Sequence, residues 1–90
     1  NKKTYEQVEM QVKEIIIDHL QIDKSPEALN ANEEYFLEAY GFNSVDALEL
    51  LLKIEQEFCI EIADEDLNAE LLQSIAALAK YVTKTLENKG

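Results

Sequence analysis

Gly41-Phe42-Asn43-Ser44-Val45-Asp46-Ala47-Leu48-Glu49-Leu50-Leu51-Leu52-Lys53-Ile54-Glu55-Gln56-Glu57-Phe58 is the stretch from which the fold is read. Gly41 is the only glycine inside the chain, the other being Gly90. Its place just before an apolar run is explained by a turn that needs φ > 0. Asn43 then serves as N-cap, with Asp46 three residues on, where a carboxylate accepts backbone N–H groups or offsets the helix dipole. Val45, Leu48, Leu51, Leu52 and Phe58 recur at helical spacing, and Leu50 and Ile54 widen the row. The spacing predicts a long helix near 44–58, with that row as its core-facing stripe.

Working outward, Thr4-Tyr5-Glu6-Gln7 has the form of a capping box, with Thr4 as N-cap and Gln7 at N3. Val8, Val12, Ile15, Ile16 and Leu20 follow at helical spacing and predict a helix over 5–20, with Tyr5 on the same stripe. Residues 21–43 form a long connection between these two helices. In it, Ser25-Pro26 reads as an N-cap with proline at N1, the start of one short turn. Its apolar Tyr35, Phe36, Leu37 and Tyr40 require it to lie across the helices. Downstream, Ile60 and Ile62 are apolar anchors. Asp64 is read as the cap of a short helix near 65–71 that buries Leu67 and Leu71. Ser74 caps a last helix over about 75–87, with Ile75, Leu78, Ala79, Val82 and Leu86 as its stripe. The expectation is all-α: a small four-helix bundle of three longer helices and one short one, spanning 1–90 as a single domain.

Composition narrows the function. With 8 basic residues, all lysine, against 19 acidic ones, the net charge is −11. Such a surface repels nucleic acid and anionic lipid and invites basic protein partners or divalent cations. The plain alternative is that the charge serves solubility. Ninety residues bury a thin core. Cys59 is the one cysteine, so no internal disulfide forms, in keeping with a reducing compartment. The chain opens Asn1-Lys2-Lys3 with no apolar run after it, and no stretch approaches a membrane span. A cytoplasmic monomer is expected, with a removed targeting segment left open because the first residue is not Met.

The run Gly41 to Leu50, then Ile54-Glu55-Gln56-Glu57-Phe58 and Ile60-Glu61-Ile62, resembles the acyl carrier protein family. That family's pattern is a glycine, one or two residues, Asp-Ser-Leu, an acidic residue, then a Leu-rich helix ending Glu-Glu-Phe-Gly-Ile. Tyr35 to Tyr40 resembles the family's approach to the serine, and Ser74-Ile75 and Tyr81-Val82 its last helix. The resemblance implies that Ser44 carries a covalent 4'-phosphopantetheine arm from coenzyme A. Acyl groups would ride on it as thioesters, and the chain would have no catalytic residues. The phosphodiester would sit at the positive end of the helix, near free N–H groups. It also implies that Asp46, Glu49, Glu55, Glu57, Glu61 and Asp64, with Glu65, dock basic patches on a phosphopantetheinyl transferase and on acyl-processing enzymes.

Blander readings stand beside these. Ser44 alone reads as an ordinary helix cap. The acidic residues read as a solvated face. His19 reads as a helix-end residue suited to the dipole, and Cys59 as a small apolar one. A calcium loop from Asp64 would need Gly at its sixth position and Glu at its twelfth, where Ala69 and Ile75 stand, so a high-affinity loop is rejected, weak cation binding alone is kept, and no metal site is expected. Asn43 replaces the family's Asp, Val45 its Leu, and Cys59 its Gly, and Phe42 is bulkier than usual. These departures spare the attachment hydroxyl. They fit a carrier for a polyketide, an unusual lipid or another dedicated pathway as readily as one for housekeeping fatty acid synthesis. An unmodified interaction module of the same fold is the alternative.

Overall fold

The computed structural model describes residues 4–33, 38, 41, 43–63 and 71–89. Among them it has three α-helices, a 3-10 turn and no strand: α1 (Tyr5–Leu20), the turn Pro26–Ala28, α2 (Ser44–Phe58) and α3 (Ile75–Lys89). The first two helices have the expected bounds, and α3 runs to Lys89 where the stripe predicted an end near 87. The short helix expected near 65–71 lies outside the described residues but for Leu71, which is buried in a turn. The end of the long connection, with Tyr35, Phe36, Leu37 and Tyr40, also lies outside them.

Each helix begins where a side chain takes up backbone donors that the first turn would otherwise leave unpaired. At α1 the Gln7 N–H donates to Thr4 Oγ1 at 3.2 Å, and the Thr4 N–H donates to Gln7 Oε1 at 3.0 Å. At α3 the Ala77 N–H donates to Ser74 Oγ at 3.1 Å. The neighbouring Ala76 N–H donates to the Ala31 carbonyl at 2.8 Å, which ties the connection to the start of α3. Leu29 is buried on the same side, so the described part of the connection does lie against the core. Ser25 precedes the 3-10 turn as expected, with Pro26 at its first position. Its side chain makes no capping bond, because so short a turn is closed by backbone bonds from Ala28 to Ser25 and Leu29 to Pro26.

The ends of α1 and α2 are also alike. Gln21 and Cys59 both adopt the left-handed conformation, at φ 53° and φ 55°. The next residue, Ile22 or Ile60, donates its N–H back to Ile17 O (3.0 Å) or Glu55 O (3.1 Å) and packs on the core. The conformation that glycine adopts freely is thus held here by two residues with a Cβ, at a cost of about 1–2 kcal/mol each.

α1 packs against both α3 and α2, more extensively against α3. The core joins Val8, Val12 and Ile16 of α1, Leu50, Leu51, Ile54 and Phe58 of α2, and Ile75, Leu78, Ala79 and Val82 of α3, with Ile60 and Ile62 from the loop after α2. Lys13 is the buried charged residue among those described, and its Nζ lies 3.2 Å from Glu9 Oε1 one turn back. Tyr5 donates its hydroxyl to the same Glu9. Partial burial, then that hydrogen bond and the carboxylate's charge, push its pKa up to about 12.

The stripe expected on α2 is corrected. Ala47, Leu50, Leu51, Ile54 and Phe58 face the core, whereas Val45 is 63%, Leu48 50% and Leu52 50% exposed. These three stand two positions before 47, 50 and 54, which puts them about 160° round the axis at 3.6 residues per turn. A helix that is apolar on both sides offers two rows of correct period, and periodicity alone does not choose between them.

Candidate functional site

The site of interest is the start of α2. Gly41 lies in a turn at φ 80°, as the sequence predicts, with its N–H on the Glu38 carbonyl at 3.0 Å. A Cβ there would meet nothing within 4 Å, so the glycine is needed for its backbone angle and not for space. Two residues on, Asn43 closes the helix end. Its Oδ1 accepts the N–H of Val45 at 2.9 Å and of Asp46 at 3.1 Å. Its carbonyl accepts the Ala47 N–H at 3.1 Å. In return the Asn43 N–H donates to Asp46 Oδ2 at 3.1 Å, a complete capping box.

This arrangement decides what Ser44 is not. The chain has three serines. Ser25 precedes the 3-10 turn, and Ser74 caps α3 with its hydroxyl. Ser44 is the first residue inside α2, and Asn43 is the cap, so the reading of Ser44 as an ordinary N-cap is corrected. The exposed Asn43 and Val45 flank it. A serine at that position, next to the cap at a helix start, suits a covalent group attached through its oxygen. The positive end of the helix favours an anion electrostatically. The expectation of free N–H groups is corrected for Val45 and Asp46, whose amides are already bonded to Asn43.

Among the described residues, the acidic side chains named from the sequence differ in exposure and in what they bond. Asp46 is half-buried and turned onto the cap. Glu49 and Glu57 are exposed along α2, and Glu61 is exposed in the loop after it. Glu55 is half-buried, and its Oε2 accepts the Ile62 N–H at 2.7 Å, holding that loop against the helix. Asp64 and Glu65 lie outside the described residues. His19 is half-buried in the last turn of α1, and Cys59 is exposed at the end of α2, its thiol 3.9 Å from the Gln56 carbonyl.

The structure adds one feature that the sequence reading missed. Val45, Leu48 and Leu52 form an apolar row in water, beginning beside Ser44, with Glu49 next to it. The signal lay in the spacing of 45, 48, 49, 52 and 56, a helical period of its own, masked by the second apolar row. Among the described residues no helix is long and apolar enough to cross a membrane.

Residues 11–82 of the chain, the whole of α2 among them, match a protein-family model described as "Phosphopantetheine attachment site".

Proposed function

This chain belongs to the phosphopantetheine attachment family, whose members are carriers and not catalysts and hold 4'-phosphopantetheine covalently, and from that premise we propose that Ser44 bears the arm and that the cargo is acyl. The observation that carries the assignment is the capping box. It makes Asn43 the cap, and leaves Ser44 as a serine inside the helix start between two exposed residues. In attachment the serine oxygen forms a bond to the β-phosphorus of coenzyme A. The pyrophosphate P–O bond breaks, 3',5'-adenosine bisphosphate leaves, and the hydroxyl proton passes to a base of the transferase. The arm supplies a terminal thiol on which acyl groups travel as thioesters, in fatty acid, lipid or polyketide-type biosynthesis.

The outward face of α2 is the docking surface in this reading. Val45, Leu48 and Leu52 leave in water apolar area worth about 25 cal/mol per Å² when buried. Glu49 and Glu57 beside it complement a basic partner. The transferase and the acyl-processing enzymes, which must all reach Ser44, would share this face.

Incubation with coenzyme A and a broad-specificity phosphopantetheinyl transferase should add the mass of one phosphopantetheine group, and Ser44→Ala should abolish the gain. A gain that persists in Ser44→Ala would sink the site. No gain with any transferase tried would favour an unmodified interaction module.

A further inference from the structure

We infer that Asn43 and Asp46 are positioning residues that keep the phosphodiester of the arm off the backbone amides of Val45 and Asp46 at the start of α2. The inference rests on the attachment proposed at Ser44 and concerns what the residues around it do to the group.

A helix start binds anions because its first N–H groups point outward unpaired. In α2 the second and third of these amides, those of Val45 and Asp46, already have acceptors. The Val45 and Asp46 N–H groups both donate to Asn43 Oδ1, and the Ala47 N–H donates to the Asn43 carbonyl. A phosphodiester seeking those two amides must first displace the Asn43 side chain from both. It meets a second obstacle in Asp46, whose carboxylate is fixed at the same helix end by the Asn43 N–H. Two anions there repel each other. The amide of Asn43 fills both donors without adding a charge of its own, so Asp46 is the one carboxylate in the box. α1 shows that the box does not depend on charge, since Thr4 and Gln7 build it from neutral groups. The carboxylate at position 46 is therefore not needed to close it.

The consequence is kinetic freedom for the cargo. An arm whose phosphate occupied the helix amides would have its first bonds fixed against the carrier. An arm held off them turns about its bonds to Ser44, and its thiol sweeps its full reach into whichever partner is docked.

The test reads the amides directly by NMR. In the unmodified protein, titration with inorganic phosphate should leave the Val45 and Asp46 amide protons without a saturable shift. In Asn43→Ala these amides should exchange with solvent about fivefold faster, the loss expected of one N-cap, and should show a saturable downfield shift with phosphate. Asn43→Asp, which keeps the cap, should behave as the parent. Modification of the parent protein should likewise leave both amides in place, while modification of Asn43→Ala should draw them downfield and broaden the phosphorus resonance. A saturable phosphate shift in the parent, or amides that move downfield when the parent is modified, would overturn the inference. Failure of the transferase to modify the parent would count against the attachment at Ser44 alone, since the phosphate titration reads the capping box without it.

Discussion

α1 and α2 are built by the same local rules and differ in what they show to water. Both start with a reciprocal capping box, both end on a non-glycine residue in the left-handed conformation followed by a core isoleucine, and both bury one face. Outward, α1 presents Glu6, Gln7, Met10, Glu14 and Asp18, the face of an ordinary surface helix. α2 presents Val45, Leu48 and Leu52 beside Glu49. Folding explains the inner faces of both helices and the outer face of α1. It does not explain three large apolar residues in water beginning next to Ser44, and under the proposed function this difference marks the face offered to partners.

Truncation separates the two faces of α2 most sharply. Ile54→Ala on the inner face should destabilise the bundle by about 2–5 kcal/mol, as Ile16→Ala should on α1, because each leaves a cavity in a closed core. Leu48→Gln and Leu52→Gln on the outer face should leave stability within about 0.5 kcal/mol. They should instead slow modification of Ser44 about tenfold each, the effect of one central interface residue. Met10→Gln on α1 should change neither. Chemical denaturation and initial rates of modification check both halves. Equal rates for Leu48→Gln and the parent would remove the partner surface from α2, and a large loss of stability there would place Leu48 in the core.

The shared C-terminal device gives a smaller effect. Cys59→Gly should stabilise the protein by about 0.5–1 kcal/mol, the relief of left-handed strain less the added backbone entropy of the unfolded chain. A melting temperature that falls on this substitution would show that the thiol contributes more than its backbone costs.

The smallest effect distinguishes α1. Its Tyr5 hydroxyl, raised from 10.0 to about 12 by burial and by Glu9, favours the folded state while it is protonated. That contribution is whole below pH 10 and is lost as pH rises from 10 through 12. Melting temperature should therefore fall more steeply over that range in the parent than in Tyr5→Phe, and parallel curves would contradict the assignment.

Much of this was legible in the residues. The bounds of α1 and α2 followed from Thr4, Gln7, Asn43 and Asp46, because a capping side chain marks a helix start whatever packs later. Gly41 announced its positive φ. The inner face of α2 was not legible, because Leu50, Leu51 and Leu52 in succession fit either side, and burial against α1 is a tertiary choice. Nor was the second duty of Glu55. Its bond to the Ile62 N–H spans seven residues, and depends on how the chain turns after Cys59. At the site, the serine and its neighbouring cap Asn43 were legible, whereas the exposed row of Val45, Leu48 and Leu52 was not, because both apolar rows of α2 have helical period.

A direct measurement is possible, because the three serines of the chain all stand at helix starts and differ in their flanking sequence. Modified protein, digested and fragmented in a mass spectrometer, should show phosphopantetheine on the peptide and on the residue of Ser44, with Ser25 and Ser74 bare. The group found on Ser25 or Ser74, with Ser44 unmodified, would contradict the account.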